Sequence, residues 1–361
     1  MRILQIVADG SPGGGTTHVL QVLEHHSDLG DMILLTDAGS YLAKKSKSLG
    51  LNVIEERLMG SRLSRAPVQA IRQACRKVAP DIVHCHGGRA CFHSSRSAHG
   101  LAQVYTVHGF HFAKKNTLPR LVGRLVERYC IGRSKFVIYV CHYDRQIAAT
   151  DRLMSTHHPH RVIHNGIPVG DRAHQLNYTD SNIIGFVGRL VPQKNPLKFV
   201  EVMEHLPAFN GIVVGDGELR SSIEAAIDAR ELQGRVQLVG ALDQSDVLKI
   251  LPKFACLLMT SEWEGLPILP LEAMKLGIPV VASAVGGLPE IFDTQSTGIL
   301  FKSELRPIDI AKIIIDLLHD PLKCQQTATL AHARLLEHFS EDAMIEDLRQ
   351  VYDQLCGERN R

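Results

Sequence analysis

Residues 255–290 decide the fold. They run Ala255-Cys256-Leu257-Leu258-Met259-Thr260, then Ser261-Glu262-Trp263-Glu264-Gly265-Leu266-Pro267-Ile268-Leu269-Pro270-Leu271-Glu272-Ala273-Met274-Lys275-Leu276-Gly277-Ile278-Pro279, then Val280-Val281-Ala282-Ser283-Ala284-Val285-Gly286-Gly287-Leu288-Pro289-Glu290. The short apolar runs read as strands near 255–259 and 279–282, and the apolar-periodic segment between them as a helix near 266–276. Strand, helix and strand in that order form the crossover unit of a parallel sheet. Outward from this unit, strands are expected near 182–187, 211–215, 235–239 and 298–301, with helices near 195–205, 217–231 and 244–251. The first half repeats the alternation, with strands near 2–7, 32–36, 81–85, 103–107 and 135–140 and helices near 16–27, 66–78 and 116–131. Three helix-like segments, near 307–319, 321–338 and 340–355, close the chain. The prediction is an α/β protein of two Rossmann-like, doubly wound domains facing each other across a cleft.

The switch between halves falls at Asn165-Gly166-Ile167-Pro168 and the polar stretch that ends Asn177-Tyr178-Thr179-Asp180-Ser181-Asn182, where turn and breaker residues suit a hinge. The expected domains are therefore 1–168, 169–339 and a last helix, 340–361. With 361 residues, 45% hydrophobic and 22% charged, the chain has ordinary globular composition, which excludes disordered, collagenous and disulfide-framework proteins. Eight cysteines without a Cys-x-x-Cys pair read as reduced thiols of a cytosolic protein. No apolar run approaches the roughly 18 residues of a spanning helix. The expected place is the cytoplasm, with peripheral attachment to the cytoplasmic face of the inner membrane.

A net charge of +2 conceals an asymmetry. Residues 1–170 hold 22 Lys+Arg against 11 Asp+Glu, and residues 171–361 hold 18 against 27. The first half also carries 14 of the 19 histidines. A basic first half suits an anionic partner, either a lipid surface or a phosphate-bearing substrate; a solvated basic face is the plainer alternative.

Four places carry candidate chemistry. Gly13-Gly14-Gly15-Thr16-Thr17-His18 follows the first strand and opens a helix, so its backbone can approach a phosphate closely. Its contiguous glycines do not match the dinucleotide fingerprint. Val104-Tyr105-Thr106-Val107-His108-Gly109-Phe110-His111-Phe112 delivers His108 at a strand's C-terminal end, where open α/β sheets bind ligands, with His111 a weaker candidate. Gly188-Arg189-Leu190 followed by Lys194 puts two cations just past another strand, a pairing that suits a diphosphate. Glu264 and Glu272, two helical turns apart around an apolar helix start, can hold two hydroxyl-bearing parts of one ligand, with the amides of Gly265 and Leu266 beside them. His84-Cys85-His86 has two histidines on one strand face but no completing ligand set, and His157-His158-Pro159-His160 reads as exposed loop. No Asp-x-Asp occurs, Glu262-x-Glu264 is a poor substitute, and no metal is expected.

Taken in order, these motifs, together with Asn165-Gly166, Gly215-Asp216-Gly217, Gly286-Gly287 and Glu290, resemble the retaining glycosyltransferases of family four, which have the GT-B fold. The resemblance covers nearly the whole chain and is most specific from Ser261 to Glu290. Thr106-Val107-His108-Gly109-Phe110-His111-Phe112 is similar to a version seen in bacterial capsule, exopolysaccharide and O-antigen transferases. It implies a nucleotide-diphosphate sugar, uridine-linked, as co-substrate and no other cofactor. Arg189 and Lys194 would grip the diphosphate, with Gly14 and Gly15 approaching it. Glu272 would bond the ribose and Leu242, in the turn Gly240-Ala241-Leu242, would lie by the base. Glu264, Gly265 and Leu266 would hold the donor sugar and His108 would contact it at the reacting centre.

A front-face displacement with retention is expected, since no nucleophilic carboxylate is evident at a strand end and cations aimed at the leaving diphosphate lower the barrier. The acceptor, a glycan or a polyprenyl-diphosphate-linked sugar, would bind the basic first domain. Lys44, Lys45 and Lys47 and the run Lys114, Lys115, Arg120, Arg124 and Arg128, with Leu121, Val122 and Leu125 beside it, would meet an anionic membrane. Nucleic acid is not expected, because the basic half lacks interleaved aromatics. Two rivals remain. A nucleotide-sugar epimerase of the same fold would need carboxylates on both sides of the sugar, and the first half offers Asp9 alone near the glycine loop. A non-catalytic partner subunit would have lost at least one of His108, Arg189, Lys194, Glu264 and Glu272.

Overall fold

The computed structural model describes the chain apart from residues 62, 99, 111, 113–116, 170–180, 293–295 and 360–361, and the side chains of 117, 358 and 359. The expectations at His111, Lys114, Lys115 and 177–180 lie outside the described residues. The chain divides into two compact units, Met1–Gly166 with Glu341–Arg361, and Ile167–Ser340.

The first unit is built on seven parallel strands: β1 (Arg2–Val7), β2 (Asp31–Asp37), β3 (Val53–Glu56), β4 (Ile82–His86), β5 (Ala102–Val107), β6 (Phe136–Tyr139) and β7 (His160–Val162). Their order is β3-β2-β1-β4-β5-β6-β7, so the winding reverses between β1 and β4. Successive side chains of a strand point to opposite faces. Leu4 and Ile6 of β1 therefore join one buried cluster, while Ile3 and Val7 join another. The second cluster is closed by Val19, Leu20 and Leu23 of the helix Gly14–Glu24 and by Leu348, Val351, Tyr352 and Leu355 of the last helix, Glu341–Arg359.

The second unit holds six parallel strands: β8 (Ile183–Val187), β9 (Asn210–Val214), β10 (Val236–Gly240), β11 (Cys256–Met259), β12 (Val280–Ser283) and β13 (Ile299–Phe301). The order β10-β9-β8-β11-β12-β13 reverses between β8 and β11. Both units are thus doubly wound α/β sheets of the Rossmann type.

Several elements depart from the sequence expectation. Strands β3 and β7 were not anticipated; both are short and lie at the sheet's edges, and half of β3 is Glu55-Glu56. His160 begins β7 and so is not loop, as expected for 157–160. Helix Tyr41–Ser48 carries Lys44, Lys45 and Lys47, as expected of a basic helical segment, and helices Gly87–Ser94 and His142–Thr150 are additional. Tyr41–Ser48 is started by the Ser40 side chain, which accepts from the Ala43 amide, and Gly87–Ser94 opens on two glycines that weaken any helical signal.

Leu348 is fully buried on the last helix. Leu348→Ala is expected to destabilise the protein by about 2–5 kcal/mol, whereas truncating the exposed Leu322 should change stability by less than about 0.5 kcal/mol. Equilibrium urea unfolding of the two variants checks this; equal effects would contradict the packing described.

Candidate active site

In an open parallel sheet the loops leaving the strands on either side of the reversal diverge to opposite faces and leave a crevice at the strands' carboxyl ends. In the second unit those strands are β8 and β11. Gly188 to Lys194 follows β8, and Ser261 to Leu266 follows β11. The two loops are laced together. Lys194 Nζ lies 2.5 Å from Glu264 Oε1, and Ser261 Oγ donates to the same oxygen at 2.6 Å. Asn195 Nδ2 donates to Glu262 Oε1 at 2.7 Å, Gln193 Nε2 to the Trp263 carbonyl at 3.1 Å, and the Glu262 amide to the Gln193 carbonyl at 2.8 Å. The Lys194 side chain is 20% exposed and that of Glu264 5%, so the pair is largely out of water. Arg189 is exposed, with its guanidinium 3.4 Å from Gln193 Oε1.

Two glycines let other loops close on this centre. Gly286 has φ +59°, and a Cβ there would overlap the Glu264 carbonyl; Gly215 has φ +140°, and a Cβ would overlap the Gly188 carbonyl. Only glycine meets both the conformation and the approach.

Glu272 sits in the first turn of the helix Leu269–Lys275 and is buried. Its Oε1 accepts from Gln244 Nε2 at 2.8 Å, which ties it to the segment that follows β10 and the Gly240-Ala241-Leu242 turn. Burial pushes the Glu272 carboxyl above the usual glutamate range, against the opposing effects of the Gln244 bond and of Lys275. The helix begins at Leu269, not at 266 as expected. Pro267 disfavours helical geometry at Leu266, while Pro270 fits a first turn that needs no N–H from it. Gly265 and Leu266 therefore lie in the preceding loop, where the Gly265 carbonyl accepts from the Gly287 amide at 2.9 Å, and no helix dipole acts through them.

The first unit gathers a second group at the ends of β1, β4 and β5. Gly13 caps the helix Gly14–Glu24, two residues earlier than expected. No side chain caps it and no acid lies in its first turn, so the amides of Gly14 and Gly15 have no partner within the helix. A Cβ on Gly15 would stand 3.7 Å from the His108 ring, so the glycine loop and His108 are brought together. His108 packs against His18 and His86, with ring centroids 5.0 and 5.4 Å away. His86 Nδ1 and His108 Nε2 are 3.2 Å apart. His18 is buried; Asn165 lies beside its ring, but neither ring nitrogen meets a partner at hydrogen-bond geometry, and burial pushes its pKa down to about 4. Asp9 spends an oxygen on the Ser11 amide at 3.1 Å.

His18, His86 and His108 place ligand atoms within 4.8 Å of one another. The facing nitrogens of His86 and His108 are joined by their own hydrogen bond, which fits a hydrogen-bonded cluster better than a metal site. Glu262 and Glu264 are likewise occupied by Asn195, Lys194 and Ser261. Sequence reasoning missed Gln193, Asn195, Ser261 and Gln244. Ser261, three residues before Glu264, was the one with a visible signal.

Residues 12–170 match the family model described as Glycosyltransferase Family 4, and residues 171–334 match Glycosyl transferases group 1. The chain belongs to the family-4 glycosyltransferases. Among curated relatives of this family-4 chain, a UDP-Gal:alpha-D-GlcNAc-diphosphoundecaprenol alpha-1,3-galactosyltransferase of Escherichia coli is 29% identical over 253 residues, which take in 63% of the chain and 64% of that enzyme, under two thirds of its length. Among solved structures, sucrose-phosphate synthase from Thermosynechococcus elongatus superposes with a TM-score of 0.84 at 21% identity, covering 99% of the chain and 100% of its own. Anabaena HepE, solved with UDP-glucose, superposes at 0.81 and 19% identity, covering 98% and 100%. The family-4 chain has the GT-B fold of such glycosyltransferases.

Because burial raises the Glu272 pKa, its charge opposes folding: stability falls as pH rises from the unfolded-state pKa through the higher folded-state value. Glu272→Gln should therefore be more stable than wild type at pH 7–8, with the difference vanishing below about pH 4, where the carboxyl is protonated in both states. Melting curves across pH test this; a variant less stable at neutral pH would contradict it.

Proposed function

We propose that this chain is a retaining, metal-independent glycosyltransferase that moves a hexosyl or N-acetylhexosaminyl group from a UDP-linked sugar to a glycan or polyprenyl-diphosphate-linked acceptor in cell-surface polysaccharide biosynthesis. The observation that carries the proposal is the Lys194–Glu264–Ser261 cluster, with Glu272 and Gln244, at the strand-order reversal of the second unit. In support, the galactosyltransferase relative is named for a UDP-sugar and a diphosphoundecaprenol-linked acceptor, and HepE was solved with UDP-glucose.

In this reading the second unit binds the donor. Arg189 and Lys194 balance the diphosphate, whose charge grows as the glycosidic bond breaks, and a preorganised cation needs no rearrangement at that moment. Glu272, next to the Leu242 turn, accepts from ribose hydroxyls. Glu264, which accepts from Lys194 and Ser261 on Oε1, and the loop amides of Gly265 and Leu266 hold the donor sugar. His108 serves the transferred sugar, and the uncapped amides of Gly14 and Gly15 serve phosphate oxygens. The leaving phosphate takes the acceptor's proton as the acceptor adds on the same face, which balances the step without a metal or a covalent enzyme intermediate. An epimerase is disfavoured because Asp9, the carboxylate it would need, is engaged in its own turn.

The first unit would take the acceptor at an anionic membrane surface on the cytoplasmic side. Among the described residues no helix is long and apolar enough to cross a membrane. Leu118, Leu121, Val122 and Leu125 of the helix Thr117–Arg133 are nonetheless each more than half exposed. Arg124 donates to the Asp151 carbonyl at 2.9 Å and Arg120 lies 3.9 Å from its carboxylate, so two of the run's cations are partly engaged. An apolar stripe beside cations suits the interface of an anionic bilayer.

A sugar nucleotide at 100 times its dissociation constant should stabilise the wild type by about 2.7 kcal/mol. A thermal-shift panel of UDP- and GDP-sugars should find one that raises the melting point of wild type and not of Glu272→Ala; no shift with any of them would move the non-catalytic partner reading to the front. Vesicles containing phosphatidylglycerol should sediment the wild type at low salt and release the double variant Leu121→Asp, Leu125→Asp. Equal retention of both, or of neither, would remove the membrane from the proposal.

A further inference from the structure

Four polar side chains lie on the face of the first unit's sheet that the last helix covers, and a fifth comes from that helix. β1 and β4 pair with Gln5 opposite His84, and β4 and β5 pair with His86 opposite Thr106. Strand periodicity then puts Gln5, His84, His86 and Thr106 on one face, with Ile3 and Val7. Tyr352 of the helix Glu341–Arg359 comes down on them and is fully buried. All four sheet residues are buried too, so every bond in the group bears on its neighbours.

The bonds form a continuous chain. His84 Nε2 meets Thr106 Oγ1 at 2.7 Å, and His84 Nδ1 meets the Tyr352 hydroxyl at 2.6 Å. The Gln5 amide nitrogen donates to the same hydroxyl at 3.2 Å, and Gln5 Oε1 meets His86 Nε2 at 2.8 Å. His86 Nδ1 meets His108 Nε2 at 3.2 Å. Burial pushes the His84 pKa down to about 3 and that of His86 well below the ordinary value, so each ring is neutral and carries a single proton.

The direction of the chain follows from Gln5. Its amide nitrogen also lies 3.8 Å from Met32 Sδ, and a thioether accepts but never donates. The amide nitrogen therefore faces Met32 and Tyr352, and the oxygen faces His86. An amide oxygen only accepts, which puts the His86 proton on Nε2 and leaves Nδ1 as an acceptor. His108 Nε2 must then be the donor. At the other end the Tyr352 hydroxyl accepts from Gln5 and donates to His84 Nδ1, and His84 Nε2–H donates to Thr106.

We propose that Gln5, His86 and Tyr352 are positioning residues for His108, a buried hydrogen-bond chain from the last helix holding the ring with its proton on Nε2 and its acceptor on Nδ1. None of the three needs to touch substrate. Through them the C-terminal helix sets which nitrogen of His108 carries the proton, and so fixes the ring as an acceptor toward a sugar hydroxyl. The proposal deepens the reading of His108 as a sugar-contacting residue and rests on that reading only for its consequence in turnover.

Selective 15N-histidine labelling of the full chain, with long-range proton–nitrogen correlation and assignment by single His→Gln variants, reads the tautomers directly. Wild type should show His84, His86 and His108 as Nε2–H. Gln5→Met, which breaks both of its links, should turn His108 into a mixture, and the near-isosteric Tyr352→Phe should do so in part. Methionine nearly keeps the volume of glutamine, so a residue acting by packing alone would leave the His108 tautomer as it is. His108 as Nδ1–H in wild type, or unchanged in both Gln5→Met and Tyr352→Phe, overturns the proposal. With a donor in hand, Gln5→Met should lower kcat by about 10-fold or more, the lower end of what losing an orienting partner costs a metal-bound histidine, while the donor KM stays within about twofold. A kcat unchanged in Gln5→Met overturns the positioning role. If no sugar nucleotide is turned over at all, the functional reading fails while the tautomer measurement still decides this one.

Discussion

The ion pair between Lys194 and Glu264 joins the loops that leave two neighbouring strands, β8 and β11, on either side of a reversal in strand order. Much of the second unit's local architecture follows from keeping that pair in place. Two charges mostly withdrawn from water are tolerated only when they are matched and further hydrogen-bonded. Ser261 gives Glu264 its second bond, and Asn195, Gln193 and Glu262 hold the two loops in register. Gly286 and Gly215 supply the backbone room that any side chain would take away. The pair is a poor device for net stability, since the cost of withdrawing both charges from water offsets most of their attraction. It is a good one for holding a cation and a carboxylate at the open end of a parallel sheet, where open α/β sheets bind their ligands.

The first unit shows a different constraint. A strand interior on a buried face is normally filled by aliphatic side chains, yet Gln5, His84, His86 and Thr106 occupy adjoining positions there. Their donors and acceptors have to be satisfied within the core. Tyr352 does part of that from the far end of the chain. The last helix is consequently more than a cover for Ile3 and Val7, because its tyrosine is a member of the polar group that ends at His108. Packing and site chemistry in this unit thus share one set of residues.

Most strands and the larger helices were legible from apolar periodicity, because parallel strands buried on both faces read as plain apolar runs. Glu264, Glu272, Arg189, Lys194 and His108 stood out because polar residues followed such runs directly. Legibility failed where the signal is not local. β3 and β7 are too short and too polar to show a period. The Glu264 loop looked like the start of a helix because its residues are apolar, although proline at 267 keeps helical geometry from beginning there. Gln244 and Tyr352 carry no mark in the sequence at all. Their roles come from partners 28 residues away, at Glu272, and 347 residues away, at Gln5, distances that only the topology closes.

The central claim is that a sugar nucleotide binds at the strand-order reversal of the second unit. Hydrogen–deuterium exchange of the full chain, with and without saturating sugar nucleotide, tests it by location. Protection is predicted in three segments, 188–195, 240–246 and 261–272, with the outer strands β10 and β13 otherwise unchanged. Binding that protects other parts of the second unit and leaves these three segments exchanging as before would contradict the account.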